Sequence, residues 1–163
     1  MNRALTPLDF IELEKGDTMT LHRLNCVTFS VHKRPYFFPV QFYRDLFKPG
    51  SMSGIVYYYT QRVGGCYCRL KAEDVSTLVI MCIGSLPSLR RKGIATRMME
   101  EIIKFAQTSK HSPKTIELNV QIRNHPAICL YKKFQFNIVE TIQNYYPQVE
   151  YESRDAYLMR RSL

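Results

Sequence analysis

Hydrophobic positions along this chain switch between two periods, and the switches predict alternating strands and helices. Leu78-Val79-Ile80-Met81-Cys82-Ile83 is an unbroken apolar run of the length of a buried strand. After it, Met98, Met99, Ile102, Ile103 and Ala106 recur at helical spacing with Arg97, Glu100, Glu101 and Lys104 between them. That pattern predicts an amphipathic helix ending near Ser109. Upstream, Phe10-Ile11-Glu12-Leu13 reads as a first strand, and Asp17-Thr18 as the cap of a helix with Leu21, Leu24 and Val27 on one side. A Pro- and aromatic-rich segment, His32 to Phe38, precedes an amphipathic turn around Phe42, Tyr43 and Leu46. Ile55 to Tyr59 and Gly65 to Leu70 predict a hairpin joined through Thr60-Gln61-Arg62. Further on, Thr115 to Gln121 is a strand, and Asn124-His125-Pro126 starts a helix with Leu130, Tyr131 and Phe134 on one side. Phe136 to Thr141 and Ala156 to Met159 close the sheet. The sum is one α/β (α+β) domain over residues 1–163, a mixed central sheet flanked by helices.

Composition agrees with one domain. The 163 residues are 45% hydrophobic, with 7 Gly and 8 Pro, enough to bury a single core. No apolar stretch approaches the ~20 residues of a membrane span, and MNRALTPLDF lacks the apolar centre of a signal peptide, so cytoplasm is expected, with the nucleus also open. The five cysteines (Cys26, Cys66, Cys68, Cys82, Cys129) are odd in number, and Cys66-x-Cys68 has neither zinc-site nor thioredoxin spacing. They read as buried free thiols, and no metal is expected. A net charge of +9 favours anionic partners. No nucleic-acid motif accompanies it.

Candidate chemistry centres on Arg90-Arg91-Lys92-Gly93-Ile94-Ala95-Thr96, between the apolar strand and its helix. Gly93 and Ala95 let backbone N–H groups approach a ligand, the helix start adds positive potential, and three cations precede it. Together they make an anion cradle suited to a pyrophosphate, though a solvated basic corner has the same residues. It lacks the Gly-Lys-Ser/Thr of a P-loop and the three glycines of a dinucleotide fingerprint. Its spacing fits Arg/Gln-x-x-Gly-x-Gly/Ala, and so resembles the acyl-CoA pyrophosphate loop of the GNAT acetyltransferase superfamily. A second segment, Asn124-x-x-Ala127-x-x-x-Tyr131-Lys132-Lys133-Phe134-x-Phe136, is similar to the helix that contacts CoA in that superfamily. The resemblance implies a GNAT fold with acetyl-CoA as cofactor. The backbone of Met81, Cys82 and Ile83 would hold the pantetheine arm, Asn124 would bond the cofactor, and Tyr131 would protonate the departing thiolate. Gln135 stands where the family usually has Gly.

Further motifs resemble one branch, the NatE-type N-alpha-acetyltransferases of the San family. They are Leu24-Asn25-x-Val27-x-Phe29-x-Val31, Phe42-Tyr43-x-Asp45, Ile80-Met81, Val120-Gln121-Ile122-x-Asn124, Asn144-Tyr145-Tyr146 and Asp155-Ala156. This likeness runs from about residue 9 to residue 161. It implies acetylation of nascent-chain amino termini that start with Met, and association with a ribosome-bound NatA-type scaffold and its catalytic subunits. Phe29 and Val31 would line the Met pocket, and Tyr145 and Tyr146 would hold the peptide backbone. Tyr36 or Phe38 would take the place of the family's substrate-loop tyrosine, although packing is the simpler role for Phe38.

Two departures touch catalysis. By register, Val79 and Asn119 occupy the positions of the family's Tyr and His general bases. Valine has no acceptor, and an Asn amide is essentially non-basic, although it can hold a water. Glu117, two residues before Asn119 on the same strand face, is an alternative base or simply an exposed strand carboxylate. His111 reads as a solvated loop residue. An α-amine titrates near ~7.7–8.0, so part of it is neutral at pH 7 without help. The sequence therefore predicts an N-alpha-acetyltransferase, with a catalytically weak acetyl-CoA-binding accessory subunit as the alternative.

Overall fold

Strands and helices fall close to where the periodicity puts them. The computed structural model describes residues 8–14, 17–31, 34–35, 38–147 and 153–163; at 30–31 and 34–35 it describes the backbone alone. In chain order the elements are β1 (Asp9–Glu12), α1 (Thr18–Thr28), β2 (Ser30–Val31), β3 (Arg34–Pro35), α2 (Val40–Arg44), β4 (Ser51–Tyr58), β5 (Gln61–Lys71) and β6 (Asp74–Ser85). Then follow α3 (Ile94–Thr108), β7 (Thr115–Gln121), α4 (His125–Lys133), β8 (Asn137–Ile142) and β9 (Ala156–Ser162). The main sheet has the order β1-β4-β5-β6-β7-β9-β8, and β2 pairs with β3 separately. Only β6 on β7 is parallel among the strand pairs described here, and its ladder runs from Thr77↔Thr115 to Ile80↔Leu118.

The described residues form two compact units, one from Met1–Arg69 with Met81–Phe105, the other from Leu70–Ile80 with Ala106–Leu163. The first unit's core gathers Leu13, Leu21, Leu24, Phe42, Leu46, Ile55, Tyr67 and Cys82, with Phe29, Phe38, Tyr43 and Met81 packed against it. Along α3, Ile94, Met98, Met99 and Ile102 are at most 2% exposed, the apolar stripe the spacing predicts. A Cβ on Gly64 would come within 2.6 Å of Ile94, so glycine is what lets α3 settle this close to β5. The β4–β5 hairpin turns tightly, with Tyr58 paired to Gln61, and Arg62 therefore lies in the strand.

In the second unit Ile116, Leu118 and Val120 of β7 join Ile128, Tyr131, Phe136, Ala156 and Met159 in the core. β8 is exposed along nearly its whole length, and the buried Phe136 precedes it.

Several expectations need correction. Val27 is 54% exposed, because six residues after Leu21 the helix has turned about 120° off the stripe; Asn25 is buried in its place. Asp17 occupies the cap position of α1 without a side-chain cap bond. In α4 the buried residues are Ile128 and Tyr131, while Leu130 and Phe134 are half-buried. His111 is also half-buried, and its Nε2 is enclosed without a hydrogen-bond partner among the described residues. All five cysteines are free, but Cys129 is exposed and Cys26 half-buried.

Candidate active site

The cradle lies in the first unit. β6 gives way to a 3-10 turn at Pro87–Leu89, and the chain then passes Arg91 and Gly93 in left-handed backbone, φ 66° and 80°. Gly93 adopts that conformation freely, whereas for a residue with a Cβ, such as Arg91, it costs about 1–2 kcal/mol. A Cβ at Gly93 would meet Leu8 at 3.4 Å, an ordinary van der Waals contact, so the positive φ and not crowding is what favours glycine here. Arg97 N–H donates to the Gly93 carbonyl at 2.9 Å, which makes Gly93 the cap of α3. The N–H groups of Ile94, Ala95 and Thr96 then have no acceptor within the helix. Arg90, Arg91 and Lys92 are exposed, and none forms an ion pair with a described residue. A bare left-handed loop, open helix N–H groups and three uncommitted cations fit a diphosphate. Ile94 itself points into the core at 2% exposed, while Ala95 is half-buried and Thr96 exposed.

Met81–Ile83 run on along β6 past its last rung with β7. Burial pushes the Cys82 thiol up to about 12, so it stays neutral and this stretch offers its backbone. Nearby in this unit, Phe38 stacks on Phe42 at 4.3 Å and meets Phe29 edge-on at 5.6 Å. Both Phe29 and Phe38 thus pack on the core. The Val31 side chain and Tyr36 lie outside the described residues.

In the second unit the structure joins Asn119 to the Tyr145–Tyr146 pair, which the sequence reading treated apart. Asn119 Nδ2 donates to the Tyr145 hydroxyl at 3.0 Å, and the Tyr146 hydroxyl donates to the Asn119 carbonyl at 3.3 Å. The two rings meet edge to face at 4.8 Å. Their turn is fastened below: Asn144 N–H donates to Asp155 Oδ1 at 2.9 Å, and Tyr146 N–H to the Arg154 carbonyl at 2.8 Å. Asn119 Oδ1 is buried and has no hydrogen-bond partner among the described residues.

Glu117 is not an exposed carboxylate. It is 4% exposed, accepts from Arg160 Nε at 2.8 Å and lies 3.2 Å from Lys71 Nζ. Burial alone would raise its pKa, but the bonds from Arg160 and Lys71 outweigh that and hold the carboxyl below its usual range. A carboxylate stabilised this way is a poor base, and the structure gives it a clamping role among β5, β7 and β9. Val79 sits beside it in register, so Val79, Glu117 and Asn119 share one sheet face.

Asn124 caps α4: its Oδ1 accepts from Ala127 N–H at 3.3 Å. At the other end Gln135 N–H donates to the Lys132 carbonyl and Phe136 N–H to that of Tyr131, a Schellman closure. Gln135 takes φ 64°, the conformation for which glycine is suited. The motif's apolar contact is Phe136 against Tyr131, ring centroids 6.1 Å apart, and it fixes the ring of Tyr131, which is 6% exposed.

Against this geometry, the family model described as Acetyltransferase (GNAT) family matches residues 18–136. The chain belongs to that family. It is 38% identical over 144 residues to the probable N-acetyltransferase san of Drosophila melanogaster, covering 88% of this chain and 74% of that protein. It is 35% identical over 144 residues to N-alpha-acetyltransferase 50 of Danio rerio, covering 88% and 81%. Arabidopsis thaliana Naa50, solved with the bisubstrate analogue CoA-Ac-MVNAL, superposes with a TM-score of 0.81 at 29% identity, covering 97% of this chain and all of that one. As a GNAT enzyme the chain is an acetyltransferase with acetyl-CoA as acyl donor. Sequence reading missed Lys71 and Arg160, the partners of Glu117. They lie 46 and 43 residues from it, and no local spacing links them.

Proposed function

We propose that this GNAT enzyme acetylates the α-amino group of protein amino termini, those starting with Met in particular. The observation that carries the reading is the Tyr145–Tyr146 pair fastened to Asn119. It presents two phenols, one of them 43% exposed, beside a strand whose Asn119 Oδ1 is buried without a hydrogen-bond partner among the described residues. In this reading the pair holds the peptide backbone. Gly93, Ile94, Ala95 and Thr96 bind the diphosphate through backbone N–H groups, with Arg90, Arg91 and Lys92 adding charge. Met81–Ile83 orient the acyl arm, Asn124 adds a polar contact at the start of α4, and Phe29 and Val31 shape the Met pocket. When bound, acetyl-CoA supplies an activated thioester. The Tyr131 hydroxyl returns a proton to the sulfur side. Positioning on this scale accelerates attack without a strong base. Both resemblance and charge support an association with a NatA-type scaffold at the ribosome in the cytoplasm.

Mass-spectrometric acetylation of Met-starting peptides tests the reading, with turnover above the uncatalysed background expected. Acetyl-CoA at about 100 times its Kd should stabilise the fold by ~2.7 kcal/mol. That is a rise in Tm of roughly 5–10 °C, which Gly93→Glu should abolish. Ligand-dependent melting with background turnover on every peptide would overturn the enzyme reading in favour of an acetyl-CoA-binding accessory subunit. Val79 and Asn119, neither able to take a proton, are the observations on that side.

A further inference from the structure

We propose that a groove between α1 and the tip of the β4–β5 hairpin is the subsite for the downstream part of the substrate peptide. Its two arginines, Arg23 and Arg62, select peptides with an acidic side chain at about the fourth or fifth residue. The inference rests on the peptide-acetylation reading above and names the substrate class within it.

The whole groove lies in the first unit. Thr20, Arg23, Leu24 and Val27 of α1 line it with Arg62 of β5, around a volume of about 240 Å³. Arg62 also borders a wider groove of about 640 Å³ with Tyr57, Thr60, Gln61 and Leu86. Leu24 is buried while Arg23, Val27 and Arg62 are exposed, so an apolar floor carries a cationic rim. Tyr57 holds Arg62 in place: Nε donates to the Tyr57 hydroxyl at 2.9 Å, and the guanidinium carbon lies 5.9 Å from the centroid of that ring. A guanidinium has five N–H donors, and those on its two terminal nitrogens form the planar fork that suits a carboxylate. Arg23 has no hydrogen bond or ion pair with a described residue. Asp17 acts on Arg62 through its charge, without a hydrogen bond between them among the described residues. One carboxylate near two guanidinium groups leaves the groove positive.

In the reading above, Phe29 shapes the pocket for the first residue of the peptide, and the groove continues from there. Phe29 follows α1, and Thr28 and the Phe29 ring close over Gly84 of β6, where an added Cβ would come within 2.2 and 2.9 Å of them. Two residues on, Leu86 N–H donates to the Val63 carbonyl at 2.8 Å, next to Arg62. Phe29 and Leu86 pack against the same core. Phe29, Gly84, Leu86 and Arg62 thus follow one another along one edge of this unit. Along α1, at about 1.5 Å per residue, Arg23 stands ~9 Å back from Phe29 and Thr20 ~13 Å. An extended peptide advances about 3.3 Å per residue, so these distances correspond to roughly three and four residues beyond the first. A carboxylate there meets the guanidinium groups at the rim, in exposed pairs that each contribute modestly and weaken with salt. The net charge of +9 also attracts acidic peptides, but a field of the whole chain does not single out one peptide position.

The test measures kcat and KM with the wild-type chain on Met-starting peptides that carry a single Asp in a neutral background, moved stepwise from the second residue to about the tenth. The expected KM is lowest, by about 3–10-fold against the neutral peptide, with Asp at about residues 4 and 5. The expected kcat stays level, and the advantage shrinks in about 0.5 M NaCl. Joint charge reversal, Arg23→Glu with Arg62→Glu, should turn the preference to a Lys at the same positions. That readout compares peptides on one variant, so a loss of stability does not imitate it, and the wild-type scan stands by itself if the variant does not fold. An equal KM for all peptides, or a benefit that is the same wherever the Asp stands, overturns the inference. A reversal that raises KM for acetyl-CoA and leaves the peptide preference as it was assigns the arginines to the cofactor and overturns it too. Inhibition of the wild type alone by single-stranded RNA, with no positional preference among peptides, does the same in favour of nucleic acid. Turnover without a positional preference sinks this inference alone, whereas absence of turnover on any peptide sinks the reading beneath it.

Discussion

Replacing Glu117 by Gln separates a structural clamp from a catalytic base. The side chain is 5% exposed and faces two cations that are each 44% exposed. Gln keeps one acceptor oxygen but turns the other into an NH2 donor aimed at Lys71 or Arg160. Breaking a fully buried pair costs about 3–5 kcal/mol, and a charge-assisted hydrogen bond contributes ~1.5–3 kcal/mol. Because both cations are almost half exposed they rehydrate, and screening discounts the loss. We expect about 2 kcal/mol, or a Tm lower by roughly 4–8 °C for a chain of this size. The sign with pH follows from the lowered carboxyl. Its stabilisation is fully present above the unfolded glutamate value of ~4.3 and is lost as pH falls through the folded value. The wild-type advantage over Glu117→Gln should therefore be constant from neutrality to about pH 5 and shrink below ~4. Urea titration at a series of pH values reads this directly, with peptide acetylation measured in parallel well below the melting transition. A clamp leaves kcat/KM within a few-fold. An unchanged urea midpoint joined to a ~10²-fold or greater loss of turnover would mean that Glu117 takes the proton and that the clamp account is wrong.

The turn after α4 makes a second prediction: Gln135→Gly should raise stability by about 0.5–1 kcal/mol. Relief of left-handed strain, ~1–2 kcal/mol, is partly offset by glycine's freedom when unfolded. A lower Tm in a thermal melt would show that Gln135 makes a compensating contact. Val79→Tyr with Asn119→His should raise kcat/KM by ~10²-fold if the peptide is placed as proposed. No gain from a folded double variant would place the reacting amine away from this strand face.

Local sequence was sufficient wherever one element's own chemistry decides the outcome. The strand at Thr115–Gln121 coincides with β7, α3 ends within a residue of its expected end, and Asn124 caps α4 as Asn before Pro suggests. Period and capping are short-range properties, so they are visible in a dozen residues. Failures arose where a distant partner decides. Val27 faces outward because the helix stripe runs through Leu21, Leu24 and Asn25, and only packing selects which three-quarter turn is buried.

Glu117 is the clearest case of the same limit. Period 2 puts it on a face with Asn119, but its ionisation depends on Lys71 and Arg160, which reach it from β5 and β9. Asn119 and Tyr145, 26 residues apart, become one cluster only when β8 and β9 bring the intervening turn back to β7. The sequence by itself determined most of the elements, the small residues and cations of the Arg90–Thr96 loop, and that Val79 and Asn119 carry side chains unable to take a proton. Tertiary structure decided which polar atoms find a partner and which are left without one among the described residues. Hydrogen-bond satisfaction is a property of what surrounds an atom, and the chain's order does not encode those surroundings locally.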